Sequence, residues 1–220
     1  MDHGGEDDAS TGKTLLGLGA ATLGESGARP FPARVRAVWP GAQLAAPAFP
    51  VRCTPADNLA VHVAVTVAPG GSALVVDVGN VAERGYWGEV LTTAAESRGL
   101  AGLVIDGCVR DVAALEAHGF PVFSAGVALP GASKREPGTA GVGTEVAGVL
   151  VEPGDWVVGD ADGVVIVPGA SMAEVVAAAR ARADKEQGLF GALRGGQTTV
   201  ELLELDPSPV RTDVPAGNPS

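Results

Sequence analysis

Residues 85–111, GYWGEVLTTAAESRGLAGLVIDGCVRD, decide the fold. Gly85, Gly88 and Glu89 precede Val90, Leu91, Ala94 and Ala95, apolar positions at helical spacing. Arg98 and Gly99 close that helix with a cation in the last turn and a glycine just beyond it. Leu103, Val104 and Ile105 read as a short strand buried on both faces. Asp106-Gly107 is a turn signal, and a second helix is expected over 112–118 with Arg110 and Asp111 at its start. The unit brings two helix N-termini within range of Glu89, Arg110 and Asp111. Free N–H groups at a helix start favour anions. A carboxylate at the mouth of a sheet can hold a hard cation. Together they suit an anionic substrate bound through a metal. The same residue types also build turns: Asp111 could cap its helix and Arg110 could be a solvated surface arginine, and the spacing leaves both open.

Outward from this unit, residues 1–13 are polar and acidic and are expected to form a disordered tail. TGKT at 11–14 resembles the end of a phosphate-binding loop, but the required earlier glycine is replaced by Asp7. Residues 15–24 suggest a short helix, and 35–38 and 43–46 suggest strands. TPADN at 54–58 looks like a helix start with Pro55 near its first position. Residues 59–66 fit either helix or strand, and 73–78 a strand. Beyond the central unit come a short strand at 120–123, a loop over 124–135 and a strand with tight turns over 138–143. Strands at 149–151, 156–158 and 164–167 form a hairpin-like meander. The clearest helix runs over 172–188, one more short helix is expected in 189–203, and 206–220 is a Pro-rich polar tail. Crossover-type units mixed with a meander predict one α/β domain over 14–205, a strand-rich core covered by helices.

Composition narrows the function. A net charge of −11 argues against nucleic acid as a bulk partner, since a phosphate backbone needs a basic face. Aromatic residues make up only 4%, so the core must be built from small aliphatics. Cys53 and Cys108 lie far apart in apolar surroundings and read as buried reduced thiols. The acidic start lacks the basic region of a secretory signal, and no apolar run reaches the length of a membrane span. A cytoplasmic protein is expected. His62 and His118 have no partner spacing and are expected to be structural, and His3 falls in the tail.

Taken in order, G-x-W-G-E-V-L-x-x-A-A-x-x-R-G from Gly85, G-L-V-I-D-G-C-V-R-D from Gly102, P-V-F from Pro121 and P-G-D-x-V-x-x-D-x-D-G-V-V-I-V-P from Pro153 resemble the family of the regulator of ribonuclease E activity A. That family includes class II pyruvate aldolases acting on 4-hydroxy-4-methyl-2-oxoglutarate and 4-carboxy-4-hydroxy-2-oxoadipate. The resemblance covers residues 30–188. The aldolase members carry an acidic residue, twenty intervening residues and then Arg-Asp, a pattern that Glu89, Arg110 and Asp111 fit. The resemblance implies a swivelling β/β/α-type fold assembled as trimers or dimers of trimers, with sites between subunits.

The resemblance also implies a chemistry: retro-aldol release of pyruvate from a small anionic keto acid, with oxaloacetate decarboxylation through the same enolate. Asp111 would be the one direct protein ligand of Mg²⁺, or of Mn²⁺. Arg110 would hydrogen-bond the developing enolate oxygen. Backbone N–H groups around Gly88, Glu89, Val90 and Leu91 would hold the substrate carboxylate, and Glu89 would hold a water that serves as base. By position Glu186 looks like the residue a neighbouring subunit lends, although it also sits in a charge run. Asn58 falls where the family places a polar residue near the substrate, although it could equally cap a helix. Departures are the N-terminal segment ATLGESGA, and Glu89 where some aldolases have Asp. Two alternatives remain: a non-catalytic regulator that binds a ribonuclease, and an enzyme recruited to another keto-acid-like substrate.

Overall fold

The computed structural model describes residues 4–211. One half is a parallel α/β sheet. Strands β3 (Leu44–Arg52), β4 (Ala73–Asp77), β6 (Gly102–Val109) and β7 (Val122–Val127) lie side by side in parallel. Parallel neighbours need crossovers. These are α3 (Leu59–Val67), α4 (Glu89–Ser97) and α5 (Val112–His118), with the short strand β5 (Gly85–Trp87) leading into α4. Helices over the sheet explain why β4 and β6 read as near-continuous apolar runs.

The other half is antiparallel. Strands β11 (Trp156–Gly159) and β12 (Val164–Val167) form a hairpin, and β11 pairs with β3. Short strands β1 (Arg29–Pro30) and β2 (Arg36–Ala37) close the two edges, giving the order β1-β12-β11-β3-β4-β6-β7-β2. Strand β8 (Thr139–Ala140) adds to the end of β3, and β9 (Thr144–Val146) and β10 (Val149–Val151) make a separate hairpin. Strand β3 joins the halves. It pairs with β11 through residues 44–47 and with β4 through residues 48–52. The sequence suggests a strand only around 43–46, whereas the strand continues to Arg52 through Pro47 and Pro50, residue types usually kept out of central strands. Here Pro47 stands where the strand changes partners.

Three apolar clusters hold the layers together. Val61, Leu91, Ala95 and Leu115 from the crossover helices pack with Ile105 and Trp87, whose ring stacks on Phe120 at 6.0 Å. The second cluster sets Val104 and Phe123 against Val157 and Ile166. In the third, α1 (Gly4–Leu18), α2 (Ala20–Gly24) and the start of α6 (Met172–Arg194) cover β11 and β12 through Leu15, Leu23, Val175 and Ala179. Small residues permit this: a Cβ on Gly159 would come within 2.7 Å of the Phe123 ring.

Two local expectations are corrected. Residues 4–13 are helical rather than a disordered tail: α1 continues N-terminally from fully buried Leu15, although nothing before Leu15 shows apolar periodicity. Residues 1–3 and 212–220 of the expected tails lie outside the described residues. Asp106-Gly107 is not a turn. Both residues lie inside β6, where the register against β7 shifts between Ile105 and Cys108. A Cβ on Gly107 would sit 2.8 Å from Val78 Cγ2, so glycine is needed for close approach at an irregular strand.

The chain divides into a unit ending at Arg180, with the fold just described, and a second unit from Ala181 onward, which contains α7 (Thr199–Leu202). Among the described residues no helix is long and apolar enough to cross a membrane.

Phe123 is fully buried between the layers. Phe123→Ala should lower stability by about 3–5 kcal/mol in urea titrations, and a loss below about 1 kcal/mol would contradict this packing.

Candidate active site

Pairing of β5 with β6 builds the site. Gly85 lies opposite Cys108 and Trp87 opposite Val109, and Arg110 N–H donates to Trp87 O at 2.9 Å. The start of α4 therefore lies directly beside the start of α5. Gly88 is the point of contact: a Cβ there would fall on Asp111 Oδ2 and come within 3.1 Å of Arg110 Cγ.

Asp111 occupies the left-handed region, with φ 60° and ψ 37°. Aspartate tolerates that conformation better than most residues. Although it stands at the N-cap position of α5, its side chain makes no capping bond there. Its Oδ2 instead accepts the N–H of Glu89 at 3.1 Å and lies 3.7 Å from Arg110 Nε. The capping role that spacing left open is thus not the one adopted. Glu89 N–H is satisfied from outside its helix. Val90 and Leu91 follow in the first turn of α4, where a helix offers its N–H groups no carbonyl.

A cavity of about 260 Å³ opens over this junction. Its lining includes Asn58, Gly88, Val90, Leu91, Arg110 and Asp111, so most of the residues expected from the sequence converge. Asn58 is only 4% exposed and makes no helix-capping bond. Its Nδ2 donates to Tyr86 O at 2.8 Å, while its buried Oδ1 has no partner.

Two basic residues, His62 and Lys134, are among the additions to the expected lining. His62, expected to be structural, lies one helical turn beyond Asn58 on α3 and reaches the cavity. Its Nε2 is buried without a partner, and burial, helped by nearby Lys134, pushes its pKa down. The helical spacing of Asn58 and His62 was the available signal, hidden while 59–66 fitted either helix or strand. Lys134 comes from the loop after β7 and carries no periodic signal at all.

One expected side chain stands elsewhere. The Glu89 side chain is not part of the lining; its carboxylate lies 3.8 Å from His118 Nε2, and His118 Nδ1 is 2.8 Å from Glu96. His118 thus links α5 to α4. Glu186 belongs to the second unit, where it pairs with Arg182 at 2.9 Å.

Among the described residues no group of three or more His, Cys, Asp or Glu side chains could enclose a metal, and Asp111 is the one carboxylate in the cavity lining. Such a donor set does not suit a closed protein cage. It suits a hard cation that keeps most of its shell as water and substrate, as Mg²⁺ does.

Comparison with known proteins gives the family and the fold. The family model described as RraA-like, Aldolase/RraA, matches residues 17–166. The chain belongs to this family. A Halalkalibacterium halodurans protein named "Putative 4-hydroxy-4-methyl-2-oxoglutarate aldolase" is 37% identical over 126 residues, covering 57% of this chain. The match spans 60% of that relative's length, less than two thirds. A Pseudomonas syringae pv. tomato structure superposes with a TM-score of 0.75 at 28% identity, covering 86% of this chain and 94% of the other. Streptomyces coelicolor RraAS2, described as an unusual member of the RNase ES inhibitor RraA protein family, gives a TM-score of 0.73 at 29% identity, covering 83% and 96%. These neighbours share the mixed sheet and its helices, as the swivelling-type α/β expectation required.

Because Gly88 has no room for a Cβ, Gly88→Ala must displace the Asp111 carboxylate or the start of α4. If Asp111 holds a divalent cation, as the resemblance implies, titration of the folded variant should show Mn²⁺ affinity weakened about tenfold or more, the scale of losing support around a metal ligand. Wild-type affinity would contradict the placement.

Proposed function

We propose that this chain is a divalent-metal-dependent lyase that cleaves a 4-hydroxy-2-oxo acid to pyruvate by retro-aldol chemistry, with oxaloacetate decarboxylation as a side activity. One observation carries the reading: Asp111 makes no capping bond to its own helix α5, is held by Glu89 N–H, and shares a cavity with Arg110 and the first turn of α4. A relative named for that aldolase reaction supports it.

In the reaction the substrate hydroxyl loses its proton and the adjacent C–C bond breaks. The electron pair moves to the former keto oxygen, leaving the enolate of pyruvate and a new carbonyl on the other fragment. Protonation of the enolate carbon completes pyruvate. Asp111 would hold Mg²⁺ or Mn²⁺, which when bound supplies Lewis acidity toward the keto oxygen. Arg110 would donate to that same oxygen, a charge-assisted bond that strengthens as the negative charge grows. The N–H groups of Val90 and Leu91 would hold the substrate carboxylate at the positive end of α4. The unpartnered Asn58 Oδ1 would accept from a substrate hydroxyl, and Lys134 would meet a second anionic group. Glu89, whose carboxylate stands beside His118 and outside the cavity lining, would act on the substrate hydroxyl only through a bridging water.

Assembly around the cavity belongs to the same reading. Val90 is 77% exposed and Leu129 82%, and the segment carrying Leu129 abuts Gly85 through Ala128 O. Apolar side chains around a polar cavity suit cover by another copy of the chain, in a trimer or dimer of trimers, and Glu186 would then be lent between subunits. Two buried free thiols suit the cytoplasm.

The likeness to RraAS2 favours a second reading, a regulator that binds a ribonuclease without catalysis. Such a protein has no use for an arginine and a carboxylate set beside free helix N–H groups. Recruitment of the same cavity to another keto-acid-like substrate is the third reading.

A lactate-dehydrogenase-coupled assay separates them. Pyruvate should be released from 4-carboxy-4-hydroxy-2-oxoadipate and from oxaloacetate with Mg²⁺ but not with EDTA. Asp111→Ala should lower the rate by about a hundredfold or more, as expected for loss of electrostatic stabilisation at the reacting oxygen. Stoichiometric ribonuclease capture without pyruvate release would favour the regulator. Release of pyruvate from neither substrate, with no such capture, would favour the recruited enzyme.

A further inference from the structure

Asp57 does not line the cavity, yet it organises one wall. It is 2% exposed and immediately precedes Asn58. Its Oδ1 accepts Leu59 N–H at 2.8 Å. Its Oδ2 accepts the Ser133 hydroxyl at 2.8 Å, Arg135 N–H at 2.6 Å and Glu136 N–H at 3.1 Å. One carboxylate oxygen therefore gathers three donors from the segment 133–136. Backbone bonds extend the seam: Asn58 N–H to Ser133 O at 2.9 Å, and Ser133 N–H to Ala56 O at 2.8 Å. Lys134 stands inside this segment and lines the cavity.

A buried carboxylate is costly unless it is hydrogen-bonded. Burial by itself would raise the Asp57 pKa, but the donors from Arg135, Leu59, Ser133 and Glu136 outweigh it and hold the group at about 2. The carboxylate is therefore ionised throughout the neutral range. Its partners belong to a loop and to the α3 entry, not to the apolar clusters that hold the sheet. Removing its charge should free the loop before it harms the core.

We propose that Asp57 is a positioning residue: it pins the segment 133–136 and thereby presents Lys134 to an anionic group of the ligand. This rests on the reading of the cavity as a keto-acid site. Asp57→Asn keeps the shape but faces the three loop donors with a neutral amide.

The test has two arms on the full-length chain. In limited trypsinolysis, Asp57→Asn should be cut after Lys134 or Arg135 about tenfold or more faster than wild type, since opening of the loop then limits cleavage. Ser133→Ala, which removes one donor, should give a smaller increase and serves if Asp57→Asn does not fold. Unchanged cutting in both variants overturns the proposal. The second arm is a double-mutant cycle read in KM for 4-carboxy-4-hydroxy-2-oxoadipate. Asp57→Asn alone should raise KM about tenfold, but about twofold or less in a Lys134→Ala background, because no ammonium remains to be positioned. Equal factors in both backgrounds would show that Asp57 acts through general structure and would overturn the proposal. A wild type that releases no pyruvate would overturn the functional reading and the anion assigned to Lys134, and the trypsin arm alone would then decide the clamp.

Discussion

A hydrogen bond of 3.1 Å from Glu89 N–H to Asp111 Oδ2 ties the start of one crossover helix to the start of the next. It forms because β5 pairs with the end of β6, which sets Gly88 against Asp111 with no space between them. The bond does two things at once. It satisfies a helix N–H that has no partner within the helix, and it turns the Asp111 carboxylate away from its own helix toward the cavity. The left-handed backbone at Asp111 belongs to the same arrangement. Strain of that kind is kept where the surroundings over-determine it, and a functional site is a common place to find it.

The rest of the fold supports this junction at a distance. Few aromatics and many valines, alanines and glycines allow thin, closely approaching layers, with Gly107 against Val78 and Gly159 against Phe123. Strand β3 joins a parallel half, whose strand ends carry the cavity, to an antiparallel half that supplies bulk. Asp57 fastens the loop after β7 onto the entry to α3, so that residues distant in sequence meet over one cavity.

Much of this was legible in the sequence wherever local pattern and tertiary role agree. The α4–β6–α5 succession follows from helical spacing, a short apolar run and glycine punctuation, and Arg110 and Asp111 stand at the start of α5 as read. Local pattern misled where packing overrode it. Asp106-Gly107 has the chemistry of a turn, but the glycine serves close approach inside a strand. Pro47 and Pro50 look like strand breakers, yet the strand tolerates them while it changes partners. Helix α1 depends on Leu15 and its tertiary contacts, which no local periodicity announces. At the site, His62 and Lys134 were missed because their relevance lies in a cavity wall assembled from α3 and a loop. The Glu89 side chain was assigned by position, and its contact with His118 depends on how two helices lie together.

The central claim is that the Asp111 carboxylate, as this junction presents it, holds a divalent cation facing an anion bound at the start of α4. Crystals soaked in Mn²⁺ and pyruvate, with data collected at the manganese edge, test it most directly. The account predicts one anomalous peak about 2.1 Å from an Asp111 oxygen, the distance expected for a hard divalent cation of this size. Pyruvate should lie between that peak, Arg110 and the N–H groups of Val90 and Leu91. A peak elsewhere, or pyruvate bound in the cavity without a cation at Asp111, would contradict it.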